Sequence, residues 1–320
     1  MADIIGLVLP FFGMILLGYI VARITRQPVE ALGWLNTFII YISLPALFFK
    51  LVAKTPIEEL TRVDFIVANI SATYLVFGLI FAAGLLLRRA TLGEATIQGL
   101  AAAYGNIGYM GPGLALLAFG EPAAVPVALV FCFENMLHFM VAPALMAIAG
   151  GEKQPPLVIA GGIVRKIVTH PFIIATAAGF AAAFAGFEPP APMQRLIDYL
   201  AQAAAPCALF AMGVTLALRP LKRVPVELGY IVPAKLLLLP LTMYLVLGLA
   251  GNFDPIWVFT AVLLAALPTA TNVFVIGQQY GVWQERASAT ILITTVLSVA
   301  TVTILLYLIK SGLLAGDPFP

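Results

Sequence analysis

Apolar runs of about twenty residues, each closed by a short polar or basic cluster, repeat along nearly the whole chain. A helix that crosses the hydrocarbon core needs that length. On this rule ten spans are predicted, at 3–22, 33–53, 64–87, 93–119, 123–149, 166–187, 196–218, 224–250, 255–278 and 287–310. The connections between them are too short to hold a soluble domain. The first run is read as a span and not as a cleaved leader, because it starts at Asp3 without a basic segment and continues to Arg23.

Two spans are interrupted. Ala102 to Gly120 reads AAYGNIGYMGPGLALLAFG, with Gly105, Gly108 and Gly111 at every third residue, Pro112 and Gly113 after them, and Asn106 among them. Residues 266–274 read ALPTATNVF, broken by Pro268, Thr269, Thr271 and Asn272. A break at membrane depth frees backbone N–H and C=O groups, which is tolerated only where protein or water satisfies them. The resulting half-helix N-termini offer N–H donors and partial positive charge to an anion. Asn106 and Asn272 add amide donors, Thr269 and Thr271 add hydroxyls, and Gly108 and Gly111 allow close approach. The plainer alternative is that these glycines and prolines only let helices pack.

The interruptions correspond. Shifted by 161 residues, Pro10-Phe11 falls on Pro171-Phe172, Gly18 on Gly179, Pro45 on Pro206, Phe49 on Phe210 and Gly120 on Gly281. The same shift carries 105–113 onto 266–274. The chain thus divides into 1–150 and 151–320, each with five predicted spans, joined by the polar stretch 150–156. An odd number of spans per copy forces opposite orientations, so the expected fold is all-α, with ten transmembrane helices as two inverted five-helix repeats. Inverted repeats with paired broken helices mark secondary transporters, whose substrate site lies near the midplane.

Composition agrees with this reading and adds orientation. Hydrophobic residues make up 62% of 320, charged residues 10%, and mean hydropathy is +1.04, against about 25% charged in soluble domains. The net charge of +2 says little about partners, and no nucleic-acid partner is expected. Eleven Lys and Arg fall in odd-numbered loops and five in even-numbered loops and the C-terminus, which places both termini outside the cytoplasm. Trp34, Trp257 and Trp283 sit near span ends and read as an interfacial belt. Cys132 and Cys207 fall inside spans as small apolar residues, and no metal-ligand spacing occurs.

Ionisable groups inside spans need a reason. Glu134 and His138 lie four residues apart on one helix face, with Asn135 beside them. They could carry a proton, help hold Na⁺, or form a structural pair. Lys235 lies twelve residues beyond Arg223, about 18 Å along a helix and too deep to snorkel easily. It could balance an anionic substrate or a carboxylate such as Glu134, or fix its own helix by a salt bridge.

LNTFIIYISLPALFFK, GNIGYMGPGLALLAFG, APCALFAMGVTLA and LLAALPTATNVFVIGQQYG resemble the auxin efflux carrier family, in particular its bacterial members. The resemblance runs from about Ile4 to Leu308. It implies that broken helices 4 and 9 cross at the substrate site. It also implies a scaffold of helices 1, 2, 6 and 7, a moving domain of helices 3–5 and 8–10, homodimers and elevator-like transport. The site residues it carries over are Asn106, Pro112, Pro268 and Asn272. Bacterial relatives are commonly described as malonate or malate permeases, which makes a small carboxylate the expected substrate. The chain lacks the long central hydrophilic loop of many plant members.

Two other classes are weaker. An intramembrane enzyme needs a convergent catalytic set, whereas Asp occurs only at 3, 64, 198, 254 and 317, outside spans or at their edges. A channel or a transporter-like sensor could also use broken helices. No cofactor is expected beyond possible H⁺ or Na⁺ coupling.

Overall fold

The computed structural model describes residues 2–150, 158, 161–162, 164–165, 168–218 and 224–318. Residues 151–156 of the expected connector, and Lys153, Lys166, Arg219, Lys222 and Arg223 of the charge count, lie outside the described residues. Among the described residues the chain is nearly all helical and forms no strand. Seven helices among the described residues are long and apolar enough to cross a membrane: Val8–Thr25, Glu30–Ala53, Val63–Leu87, Glu121–Gly150, Ala191–Leu218, Leu228–Ala250 and Gln284–Lys310. Pro171–Ala185 and Pro255–Ala266 are shorter apolar helices.

The punctuating residues set the ends. Thr91 and Glu94 form a reciprocal capping box at the start of Leu92–Ala103, satisfying two otherwise orphaned N–H groups. Asp254 caps Pro255–Ala266 by accepting from the Ile256 N–H, with Pro255 in the first turn where no N–H is needed. Gly120 and Gly281, one repeat apart, both take positive φ, 79° and 70°, where a side chain would be strained. Inside Glu30–Ala53 and Leu228–Ala250 the backbone widens into π turns at Ile39–Ser43 and Ala234–Leu238. Each π turn stands just before a proline, Pro45 or Pro240, whose missing N–H disrupts the ordinary ladder.

The chain divides into two compact units, which cut across the two expected repeats. The first comprises Met1–Arg62, Gly108–Cys132 and Val168–Pro220; the second comprises Val63–Ile107, Phe133–Ile167 and Leu221–Pro320.

The first unit is held by close backbone approach and an aromatic cluster. A Cβ on Gly18 would lie 2.2 Å from the Phe210 carbonyl oxygen, and one on Gly179 would lie 3.2 Å from that of Phe49. These contacts exchange under the 161-residue shift, since Gly18 corresponds to Gly179 and Phe49 to Phe210. Phe48 stacks on Phe131 at 3.8 Å, and Phe172 meets Phe131 edge-on. Cys132 and Cys207 are free and half-buried, with the Cys132 thiol 3.5 Å from the Thr176 hydroxyl.

In the second unit Phe65 packs edge-on against Trp257 and Phe253. This corrects the interfacial reading of the tryptophans. Trp34 is 86% exposed, but Trp257 and Trp283 are only 8% and 7% exposed. Those two fill gaps inside the protein, which position near a span end does not reveal.

Candidate functional site

Both expected interruptions are present. The helix Leu92–Ala103 ends at Tyr104, which turns extended (φ −82°, ψ 98°), and helix resumes only at Gly111–Phe119. The helix Pro255–Ala266 ends at Leu267 (φ −64°, ψ 152°), and helix resumes at Thr271–Gln279.

The two breaks satisfy each other. The Asn106 N–H donates to the Pro268 carbonyl at 2.8 Å, and the Ala270 N–H donates to the Tyr104 carbonyl at 2.9 Å. Gly105 and Thr269 form an isolated antiparallel bridge between them. The Thr269 N–H is taken by the Thr294 hydroxyl at 3.1 Å, while the Thr269 hydroxyl donates to the Ala101 carbonyl at 2.7 Å. Backbone groups released by unwinding are therefore returned to partners, as a buried break requires. Gly105 is needed for this approach, since a Cβ there would lie 3.1 Å from the Leu264 carbonyl oxygen and 3.4 Å from Lys235 Nζ.

Polar side chains line this crossover. Lys235, fully buried in its π turn, donates from Nζ to the Ala265 carbonyl at 2.7 Å. No carboxylate lies within 4.0 Å of it among the described residues. The salt bridge considered for fixing its own helix is not formed among the described residues. Glu134 instead accepts from the Thr73 hydroxyl at 2.8 Å, and His138 Nδ1 meets the Tyr74 hydroxyl at 3.1 Å. Glu134 and His138 thus share a helix face but bind different neighbours. The His138 ring lies 4.1 Å from that of Tyr104, and its buried Nε2 has no partner among the described residues. The Tyr104 hydroxyl donates to Asn135 Oδ1 and accepts from Asn272 Nδ2 at 2.7 Å.

The second unit thus brings together Asn106, Pro268, Thr269, Thr271, Asn272, Glu134, Asn135, His138 and Lys235. Gly108, Gly111 and Pro112 belong to the first unit. There a Cβ on Gly108 would lie 2.8 Å from the Phe131 ring, while Gly111 and Pro112 are buried at the start of Gly111–Phe119. Sequence reasoning missed Tyr104. An aromatic residue inside an apolar run reads as core, and only the crossover shows its hydroxyl between two asparagines. Within the second unit the N-terminus of Thr271–Gln279, the open Asn272 amide and the buried Lys235 ammonium offer hydrogen-bond donors. Among the described residues no group of three or more His, Cys, Asp or Glu is placed to hold a metal ion.

A multi-pass helical membrane protein with two broken helices joined at their breaks is the class this fold and site define. Residues 3–306 match the family described as membrane transport protein, and the chain belongs to that family, the auxin efflux carriers. It is 75% identical over 320 residues, covering all of both chains, to a Rhizobium meliloti (strain 1021) protein named "Putative malonate transporter". It is 24% identical over 311 residues to the "Uncharacterized transporter YfdV" of Escherichia coli (strain K12) and to that of Shigella flexneri, covering 95% of this chain and 96% of each relative. It is a membrane transporter and not an enzyme.

Proposed function

We propose that the protein is a secondary transporter of small organic anions, mono- or dicarboxylates such as malonate or malate, in the bacterial inner membrane. The observation that carries this reading is the mutual closure of the two helix breaks beside a buried Lys235 that has no acidic partner within 4.0 Å among the described residues. A buried cation with no contact ion pair inside a membrane protein is costly unless an anion visits it. The name of the 75% identical relative supports malonate as the first substrate to try.

The same reading includes ten passes, with Pro171–Ala185 and the two broken helices added to the seven long ones. The exchanged Gly18–Phe210 and Gly179–Phe49 contacts support two inverted repeats, since a duplicated unit makes each contact twice. Elevator-type movement, a homodimer and external termini belong to the proposal through family likeness and loop charge. In the elevator reading the second unit, which holds Asn106, Asn272 and the hydrogen bonds between the two breaks, is the body that carries substrate. Asn106 and Asn272 supply side-chain amides, with Pro268, Thr269 and Thr271 shaping the second break. Coupling to H⁺ or Na⁺ would act through Glu134, Asn135, His138 and Lys235.

The test is uptake into proteoliposomes with a panel of carboxylates. The reading predicts saturable uptake with malonate preferred, and a clear loss in Asn272→Ala. Single-channel current would instead mark a channel, and binding without uptake a sensor.

A further inference from the structure

The Tyr104 hydroxyl, on a residue only 1% exposed, is the middle member of a three-residue chain. It donates to Asn135 Oδ1 and accepts from Asn272 Nδ2 at 2.7 Å. A hydroxyl has one proton, and once that is given to a carbonyl oxygen its other capacity is to accept. Asn272 must then present its nitrogen to Tyr104. Its amide is held against the twofold flip that a terminal amide torsion otherwise allows. The backbone strengthens the arrangement, because the Tyr104 carbonyl accepts from Ala270, two residues before Asn272.

Asn272 is half-buried, and its Oδ1 has no protein partner among the described residues. The open edge of this amide therefore offers one N–H and one carbonyl oxygen side by side. A carboxylate has acceptors only and would meet one attraction and one repulsion there. A protonated carboxyl group has a donor and an acceptor and satisfies both.

We propose that Tyr104 is a positioning residue that makes the transporter select a half-protonated dicarboxylic acid. The neutral carboxyl group pairs with Asn272, and the carboxylate faces the positive side of the crossover. This rests on the reading that the crossover holds the substrate. The proton then travels on the substrate, and Asn135 sets the polarity of the chain through Tyr104.

The titratable groups around this pair are His138, stacked on Tyr104; Tyr74, bonded to His138; Glu134, bonded to Thr73; and Lys235, beside Gly105. The buried polar groups of Pro255–Ala266 and Gln284–Lys310 are hydroxyls only, from Thr260, Thr290, Thr294, Thr295 and Ser298. A pH effect could thus arise from the protein as well as the substrate, and the experiment must separate the two.

Malonate and its monoamide are compared as ligands of the purified transporter across the second ionisation of malonate. The monoamide has one carboxylate and a permanent donor–acceptor end. In wild type, affinity for total malonate falls roughly tenfold per pH unit above that ionisation, while monoamide affinity stays flat. Tyr104→Phe keeps the ring on His138 but frees the amide. It lowers monoamide affinity roughly threefold to tenfold, the value of one neutral hydrogen bond, and makes the malonate slope shallower. Added to Asn272→Ala it has no further effect. Asn135→Leu, which frees the Tyr104 proton to turn toward Asn272, gives the same shift if Tyr104→Phe does not fold. Wild-type malonate affinity that is flat with pH overturns the proposal, as does a Tyr104→Phe loss that is equal for both ligands and additive with Asn272→Ala. If Asn272→Ala still loses binding in those cases, the crossover reading survives without the proposal. Wild-type binding of both ligands by Asn272→Ala sinks both.

Discussion

The closest constraints act on single residues whose replacement atoms have nowhere to go. A Cβ on Gly18 would sit 2.2 Å from the Phe210 carbonyl oxygen, and backbone of a packed helix cannot rotate aside as a side chain can. Gly18→Ala should therefore destabilise the protein by about 1–3 kcal/mol, the range for overpacking. Gly6 meets nothing within 4 Å, so Gly6→Ala serves as the comparison and should keep or raise stability, by up to about 1 kcal/mol of helix propensity. Thermal unfolding in detergent reads both, and equal midpoints for the two variants would contradict the close approach. The same scale explains why Tyr104 stayed invisible in the sequence. Its ring satisfies the apolar pattern, while the partners of its hydroxyl are 31 and 168 residues away. Trp257 and Trp283 failed in the opposite direction. Their place near span ends matched lipid interfaces, but Trp257 is claimed by Phe65 and both are buried in the protein.

At the scale of elements the breaks were legible because glycine, proline and asparagine declare themselves: they cannot be read as ordinary apolar helix. What the pattern could not give was how each break is repaired. The second depends on a neighbouring helix, through the Thr294 hydroxyl that accepts the Thr269 N–H while donating to the Thr290 carbonyl. Thr294→Val keeps the shape but leaves that buried N–H without its acceptor, which should cost about 1–3 kcal/mol. Thr303→Val removes an exposed hydroxyl bonded within its own helix and should be nearly neutral. Unfolding midpoints again decide, and a neutral Thr294→Val would show that the break holds itself. Also illegible was the grouping of segments. Residues 105 and 108 are neighbours in one glycine pattern, yet Ile107 closes a segment of one compact unit and Gly108 opens a segment of the other. Periodicity along a chain carries no information about which body a segment joins.

For the whole molecule, the decisive feature is where charge is allowed inside an apolar protein. Lys235 is fully buried and Glu134 is 4% exposed, and both lie in the unit that contains the crossover. On the proposed reading it is the buried Lys235, on a chain that is 10% charged, that suits this interior to an anion. The most direct test is malonate affinity at neutral pH for purified Asn106→Asp and Asn106→Ala. Asn106 is 3% exposed at the first break, so Asp keeps its size while replacing amide donors with a negative charge. A hydrogen bond lost to Ala costs about 1–3 kcal/mol, whereas a like charge in a poorly screened site costs several. The account predicts that Asn106→Asp binds malonate at least about tenfold more weakly than Asn106→Ala. Equal affinity in the two variants would contradict it, and would mean that the crossover is not where the anion binds.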